Sequence, residues 1–210
     1  MGTCPGPSRC WSEPWACART GTFRSYCPSR PQPFSLAYAL EGRIAAGLAL
    51  VEQGVEQQVA RGRRRRLALV VTSLSEAYLL AGRLEEARQR AAQALDLARQ
   101  YQQRGNQAWA LWLLDESTAR QASPEVEPAA GHYHQALALA EELGMRPLQA
   151  HCHRGLGTLF AKTGRPEQAR TALATAIDLY RTLGMMFWLP QAEVALAQVV
   201  GTGGPETEAD

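Results

Sequence analysis

The 210-residue sequence has no apolar run approaching the roughly 18 residues that a membrane-spanning helix needs. Its N-terminus lacks the apolar stretch of a secretory signal, so the expected location is cytoplasmic. A strong charge imbalance is missing too. Lys and Arg total 22 against 20 Asp and Glu, and a net +2 does not by itself call for nucleic acid or an anionic membrane. The excess is unevenly placed: Arg9, Arg19, Arg24 and Arg30 against Glu13 leave +3 on the first 34 residues, and −1 on the remainder.

Metal and catalytic motifs are equally scarce. Four of the five cysteines, Cys4, Cys10, Cys17 and Cys27, fall within the first 27 residues, without a CxxC pair or a nearby histidine, which argues against a zinc knuckle. With no secretory signal, a disulfide framework is no better supported. No GxxxxGK[ST] loop is present to cradle phosphates. Histidines occur as His132-Tyr133-His134 and His151-Cys152-His153, but residues two apart on a helix point about 200° apart and cannot chelate one ion by themselves. No serine or cysteine nucleophile has a recognisable catalytic context. The chain is therefore expected to be non-enzymatic, with no cofactor and no bound metal.

What the sequence does contain is a repeated helical pattern. From His153 to Tyr180, Leu156, Gly157 and Phe160 lie at helical spacing on one helix, Gly164 stops it and Pro166 starts another, striped by Ala169, Leu173 and Ala176. Gly suits the left-handed residue after a helix, and Pro the first helical turn. Small residues at Gly157, Ala169 and Ala176 would let the two helices approach closely. The hairpin recurs: Gly42 and Gly82 are 40 apart, Gly82 to Gly164 leaves room for one more unit, and Gly144-Met145 repeats 40 residues later as Gly184-Met185. A period near 40 with two helices per unit predicts an all-α, right-handed α-solenoid. The expected units are 35–62, 66–105, 106–145 and 146–185, with a capping helix over 187–199, Pro190 in its first turn or at a kink, and a disordered tail over 201–210.

Residues 1–34 differ in kind, being rich in Pro, Cys, Ser, Arg and Trp without any period. Two readings stand. One is a disordered leader. The other is translation in a displaced frame, since synonymous codons allow the neighbouring frame to encode an amphipathic helix that runs into Ser35 in phase with the repeats. In the second case the leader's cysteines have no selected chemistry.

The segments LSEAYLLAGRLEEAR, GHYHQALALAEELGMRPLQAHCHRGLGTLFAKTGR and YRTLGMMFWLPQAEVALA resemble the tetratricopeptide region at the C-terminus of large bacterial signalling ATPases. That family includes transcription regulators of the MalT type and class III nucleotide cyclases with an ATPase module. The resemblance covers about Ser35 to Val200. It implies an α-solenoid that senses or transmits signals by binding, with the chemistry in upstream domains that this sequence does not contain. Two positions depart from the pattern: Asp115 and Gly47 stand where a small residue and Ala are expected, so their hairpins are expected to pack loosely.

The resemblance also implies a binding face. First helices of such arrays line a concave groove, and carrying that stripe onto this sequence selects Thr72 and Glu76, then Trp109, Trp112, Glu116 and Arg120, then His151, Arg154, Thr158 and Lys162. Two tryptophans beside ionic groups would suit a protein or peptide segment, because aromatic and Arg side chains commonly dominate binding energy. Two other readings come from different classes. A small-ligand sensor would need a pocket between helices, and nucleic-acid binding would use the run Arg61, Arg63, Arg64, Arg65 and Arg66. That run is expected to be a solvated connection near the preceding helix C-terminus, where cations are favourable. Interrupting an array at its N-terminal side exposes an apolar face, so self-association is a further expectation.

Overall fold

The computed structural model describes residues 44–120 and 126–202; residues 1–43, 121–125 and 203–210, and the side chains of 126–129 and 202, lie outside the described residues. The expected leader and nearly all of the expected tail thus fall outside them. Among the described residues there are eight helices and no strand: α1 (Ile44–Ala60), α2 (Arg64–Leu80), α3 (Leu84–Gln100), α4 (Arg104–Ala119), α5 (Val126–Glu142), α6 (Arg146–Lys162), α7 (Pro166–Leu183) and α8 (Leu189–Thr202). This is the all-α fold of helical hairpins that the sequence pattern calls for.

The chain divides into two compact units, Met1–Pro124 and Glu125–Asp210. The boundary falls inside the hairpin expected over 106–145, placing its first helix, α4, in the first unit and its second, α5, in the second. In the first unit α3 packs on both α2 and α4, α1 packs on α2, and α2 touches α4. In the second, α6 packs between α5 and α7, and α8 closes on α7.

The turns explain the regularity. Gly62, Gly82, Gly144, Gly164 and Gly184 all have φ between 62° and 74°, and Gln102 takes the same left-handed conformation at 54°. These residues recur every 20 positions within each unit, at 62, 82 and 102 and again at 144, 164 and 184. At each turn the next residue's N–H reaches back to a carbonyl five positions earlier: Arg83 to Tyr78 at 2.9 Å, Gln103 to Ala98 at 2.8 Å, Met145 to Ala140 at 2.7 Å and Arg165 to Phe160 at 2.9 Å. Such bonds satisfy carbonyls that a helix end leaves orphaned. Two of these carbonyls gain a side-chain donor from the fourth residue of the next helix, Gln107 Nε2 to Ala98 O at 3.2 Å and Gln149 Nε2 to Ala140 O at 3.0 Å.

Close packing follows from the small residues. A Cβ added at Gly157 would lie 2.6 Å from Leu173 Cγ and 3.2 Å from the Ala169 carbonyl, so α6 and α7 meet at a distance only glycine permits. On the other side of α6, a Cβ at Gly155 would stand 2.5 Å from the ring of fully buried Tyr133 on α5. In the first unit the equivalent contact surface is the alanine stripe Ala87, Ala91, Ala94 and Ala98 of α3, all of it buried. Ser75 Oγ donates to the Ala87 carbonyl at 2.7 Å, tying α2 to α3. Gly47 and Asp115, the two positions expected to loosen the packing, are both buried.

Two local expectations are corrected. The last helix spans Leu189–Thr202 rather than 187–199, with Pro190 as its second residue, where a missing N–H costs nothing. The arginine run lies only in part at the C-terminus of the preceding helix, where Arg61 and Arg63 N–H groups reach back to the Gln57 and Gln58 carbonyls. Arg61 and Arg63 flank the left-handed Gly62, while Arg64, Arg65 and Arg66 form the first turn of α2, where the helix dipole disfavours cations.

Candidate functional site

Polar chemistry is distributed unevenly among the helices. Thr72, Ser73, Ser75 and Glu76 on α2, Asp115, Glu116 and Ser117 on α4, and His151 on α6 are the buried polar or charged residues among those described. All eight lie on the first helices of hairpins. The second helices instead bury alanine-rich stripes and turn their charges outward, as in the exposed pairs Arg88–Glu85 at 2.8 Å and Arg170–Glu167 at 3.2 Å. Hydrogen bonding to Arg88 holds the Glu85 carboxyl below its ordinary pKa, and Arg83 does the same for Glu86.

In the first unit, the expected binding stripe is largely covered. Thr72 is 1 % exposed and its hydroxyl donates to the Ala68 carbonyl at 2.8 Å, four residues back along α2. Glu76 is also buried. Trp109 and Trp112 stand edge to face with centroids 5.6 Å apart, at 4 % and 3 % exposure. Their expected role as open anchors is corrected. Aromatic pairs of this geometry gain from burying their large apolar surface, and here they serve packing. Glu116 is buried and bridged by exposed Arg120, Nη2 to Oε1 at 2.9 Å, which leaves Arg120 as the outermost member of the stripe.

In the second unit, four expected residues on α6 separate by depth. His151 is buried at 1 % exposure, with Nδ1 2.9 Å from the Tyr180 hydroxyl on α7 and its ring edge-on to Trp188 at 4.9 Å. Arg154 is half-buried with its guanidinium 5.4 Å from the Trp188 ring centre, a cation–π arrangement. Thr158 is half-buried and donates to the Arg154 carbonyl at 2.9 Å, while Lys162 is exposed. The structure thus brings His151, Arg154, Tyr180 and Trp188 together.

Tyr180 and Trp188 were not selected from sequence. Trp188 stands in the turn Met185–Trp188 before α8 rather than in the helix expected over 187–199, and the expected binding stripe runs over the first helices before it and not over that one. Met186 and Phe187 beside it are exposed. A second missed cluster lies in the first unit, where Tyr78 donates to Glu52 Oε1 at 2.7 Å beneath the guanidinium of Arg83, 4.6 Å from the ring centre. Burial first, and then the Glu52 carboxylate, raises the Tyr78 pKa.

His151 and His153 do not share a ligand site. His153 is half-buried, and burial lowers its pKa below the ordinary value of 6.5, partly offset by Glu141 and reinforced by His134. Among the described residues no group of three or more His, Cys, Asp or Glu side chains is placed to hold a metal ion, and no helix is long and apolar enough to cross a membrane.

Residues 127–182, most of α5 together with α6 and α7, match the tetratricopeptide repeat family. No curated protein matches the chain.

Proposed function

We propose that this chain is a non-enzymatic binding module that takes a protein or peptide segment on the first-helix faces of its hairpins. Tetratricopeptide repeats generally mediate protein–protein interaction, and residues 127–182 match that family. The observation that carries the reading is the confinement of buried polar side chains to α2, α4 and α6. The packing faces of α3 and α7 are alanine-rich instead, the Tyr180 hydroxyl on α7 being the exception. Within each unit the stripe ends in an exposed cation, Arg120 beside Glu116 on α4 in the first and Lys162 on α6 in the second, so the segment each takes is acidic. By its resemblance to the C-terminal region of bacterial signalling ATPases, the chain serves as the sensing or coupling part of such a cytoplasmic regulator.

The test is fluorescence anisotropy with labelled acidic, neutral and basic twelve-residue peptides. Acidic peptides should bind, and Lys162→Glu or Arg120→Glu should weaken binding about tenfold, as loss of one charged contact does, while Arg170→Glu on the outer face of α7 should not. Binding insensitive to both stripe substitutions, or preferring basic peptides, contradicts the reading.

One observation favours a second reading, binding of a nucleic acid. Arg61, Arg63, Arg64, Arg65 and Arg66 are all exposed, and none has an ion pair among the described residues. Affinity for a DNA duplex that falls steeply with salt, and vanishes when these arginines become Ser, would support it.

A further inference from the structure

The turn that leads into α2 is built a second time, before α6, from different side chains. The backbone at Arg63 has φ −83° and ψ 61°, and at Met145 φ −83° and ψ 63°. The bonds around it match as well. Arg64 N–H reaches the Gly62 carbonyl at 2.9 Å and Arg66 N–H that of Arg63 at 3.1 Å, against Arg146 to Gly144 at 3.0 Å and Leu148 to Met145 at 2.9 Å. Where the first unit has Arg61, Arg63, Arg65 and Arg66, the second has Leu143, Met145, Pro147 and Leu148. The turn therefore does not require arginine at these four places. The first turn of α2 even disfavours cations, and it holds no acidic residue to offset them. Charge that brings the turn no structural return is available to something outside the chain.

The basic surface extends past this turn. Gln103 Nε2 donates to the Arg65 carbonyl at 2.7 Å, which ties the α3–α4 turn to the start of α2. The same end of the first unit thus carries exposed Arg99 in the last turn of α3 and exposed Arg104 at the start of α4. Among the described residues, the carboxylates of the adjoining helix turns are Glu56 on α1 and Asp96 on α3, both exposed. Seven guanidinium groups against two carboxylates leave a local excess of five, where the whole sequence has an excess of only two.

We infer that this end of the first unit grips the phosphate backbone of a nucleic acid duplex without reading its bases. The inference rests on the second reading above and adds to it the α3–α4 side of the surface and the form of nucleic acid. Every cation here is arginine, whose planar fork meets a phosphate through two parallel N–H bonds. A duplex offers such forks one charge per roughly 1.7 Å of its axis. From Leu67 to Leu80, α2 is buried or half-buried, so it has no free face to enter a groove and reach base edges. Single strands are held largely by stacking on aromatic rings, and the one aromatic residue of the two turns, Tyr101, is half-buried. An anionic bilayer is held by apolar side chains inserted beside the charges; the exposed apolar neighbour of the run is Val59, a short one.

The experiment uses the full 210-residue chain with two labelled DNA duplexes of unrelated sequence, read by anisotropy from about 50 to about 200 mM salt. Both should bind alike, with log K falling against log salt at a slope of about −5 to −6, near −0.9 for each phosphate met. Changing the five arginines of the α1–α2 turn to Gln should abolish binding. Arg99→Gln combined with Arg104→Gln should flatten the slope by about 2. Helical circular dichroism should be unchanged in both variants, and Lys162→Glu on the first-helix stripe should leave the slope as it was. If the five-arginine variant loses binding while the double variant keeps the native slope, the inference is overturned and the second reading stands. A native chain that binds no duplex overturns both. Tighter binding of a single strand, or preference for one duplex sequence, overturns the stated form of recognition. Retention on vesicles of phosphatidylserine and phosphatidylcholine that excess duplex does not displace overturns the inference in favour of a membrane surface.

Discussion

The hydroxyl of Tyr180 and Nδ1 of His151 lie 2.9 Å apart in the interior of the second unit, joining the last turns of α7 to the second turn of α6. Both side chains are buried, so the bond has no competition from water at this point. Tyr180→Phe keeps the ring and removes only the hydroxyl. Depriving a buried polar atom of a partner costs about 1–3 kcal/mol, and urea unfolding followed by circular dichroism should show a loss of that size. No change in the midpoint would mean that the bond contributes nothing net.

The glycines of α5 and α6 should respond in opposite directions to the same change. Gly157→Ala gains about 1 kcal/mol of helix propensity but drives a methyl into Leu173 and toward the Ala169 carbonyl, and overpacking of this kind costs about 1–3 kcal/mol. The net effect should be destabilising, by up to about 2 kcal/mol. At Gly131, also helical, a Cβ meets nothing within 4 Å, so Gly131→Ala should stabilise by about 0.5–1 kcal/mol. Thermal melts of the two variants check both signs.

Much of the hairpin architecture could be read directly from sequence. Gly82, Gly164 and Gly184 mark turns because a left-handed residue without a Cβ is needed there, and their spacing reveals the period. Gln102 occupies the same conformation without being glycine, which concealed the 20-residue interval of the first unit. Helical periodicity also grouped Thr72 with Glu76 and Trp109 with Trp112 correctly onto shared faces. What periodicity does not contain is whether a face is covered, and both tryptophans turned out buried. The Trp188 contacts escaped for a different reason: the sequence places Trp188 in the helix over 187–199, whereas that helix begins at Leu189 and the turn before it carries Trp188 to His151 and Arg154 by the path of the chain.

The start of α2 is locally unfavourable, and changing it should help the fold. Arg63 is the N-cap without a side-chain cap, and the first turn has no acidic residue. Arg63→Asp supplies an acceptor for the free N–H groups and a charge of the sign the dipole favours, worth about 1 kcal/mol. The gain should shrink in high salt, because the charge part is screened. A melting temperature that falls would contradict this account of the α2 terminus.

Acid should weaken the second unit before it affects the carboxylate pairs. His153 has a folded pKa below its unfolded value of 6.5, so the folded state binds fewer protons in the interval between them. Stability contributed by neutral His153 is full above that unfolded value and is lost as pH falls through the interval below it. Glu85 and Glu86, whose pKa values lie below 4.5, lose their contributions only in more acidic solution. Denaturation midpoints between about pH 7.5 and about pH 5.5 should fall for the native chain, and His153→Gln should flatten that slope. An unaltered slope would assign the pH dependence to another group.

The account rests most heavily on the first-helix stripe as the binding face, and site-specific photo-crosslinking tests it most directly. A photoreactive amino acid placed at position 158 or 162 of α6, and in parallel at 170 or 171 on the outer face of α7, is irradiated with the tightest-binding acidic peptide. Crosslinks from 158 and 162 alone are the result this account expects. Crosslinks from 170 and 171, with none from α6, would contradict it and move the binding face to the second helices.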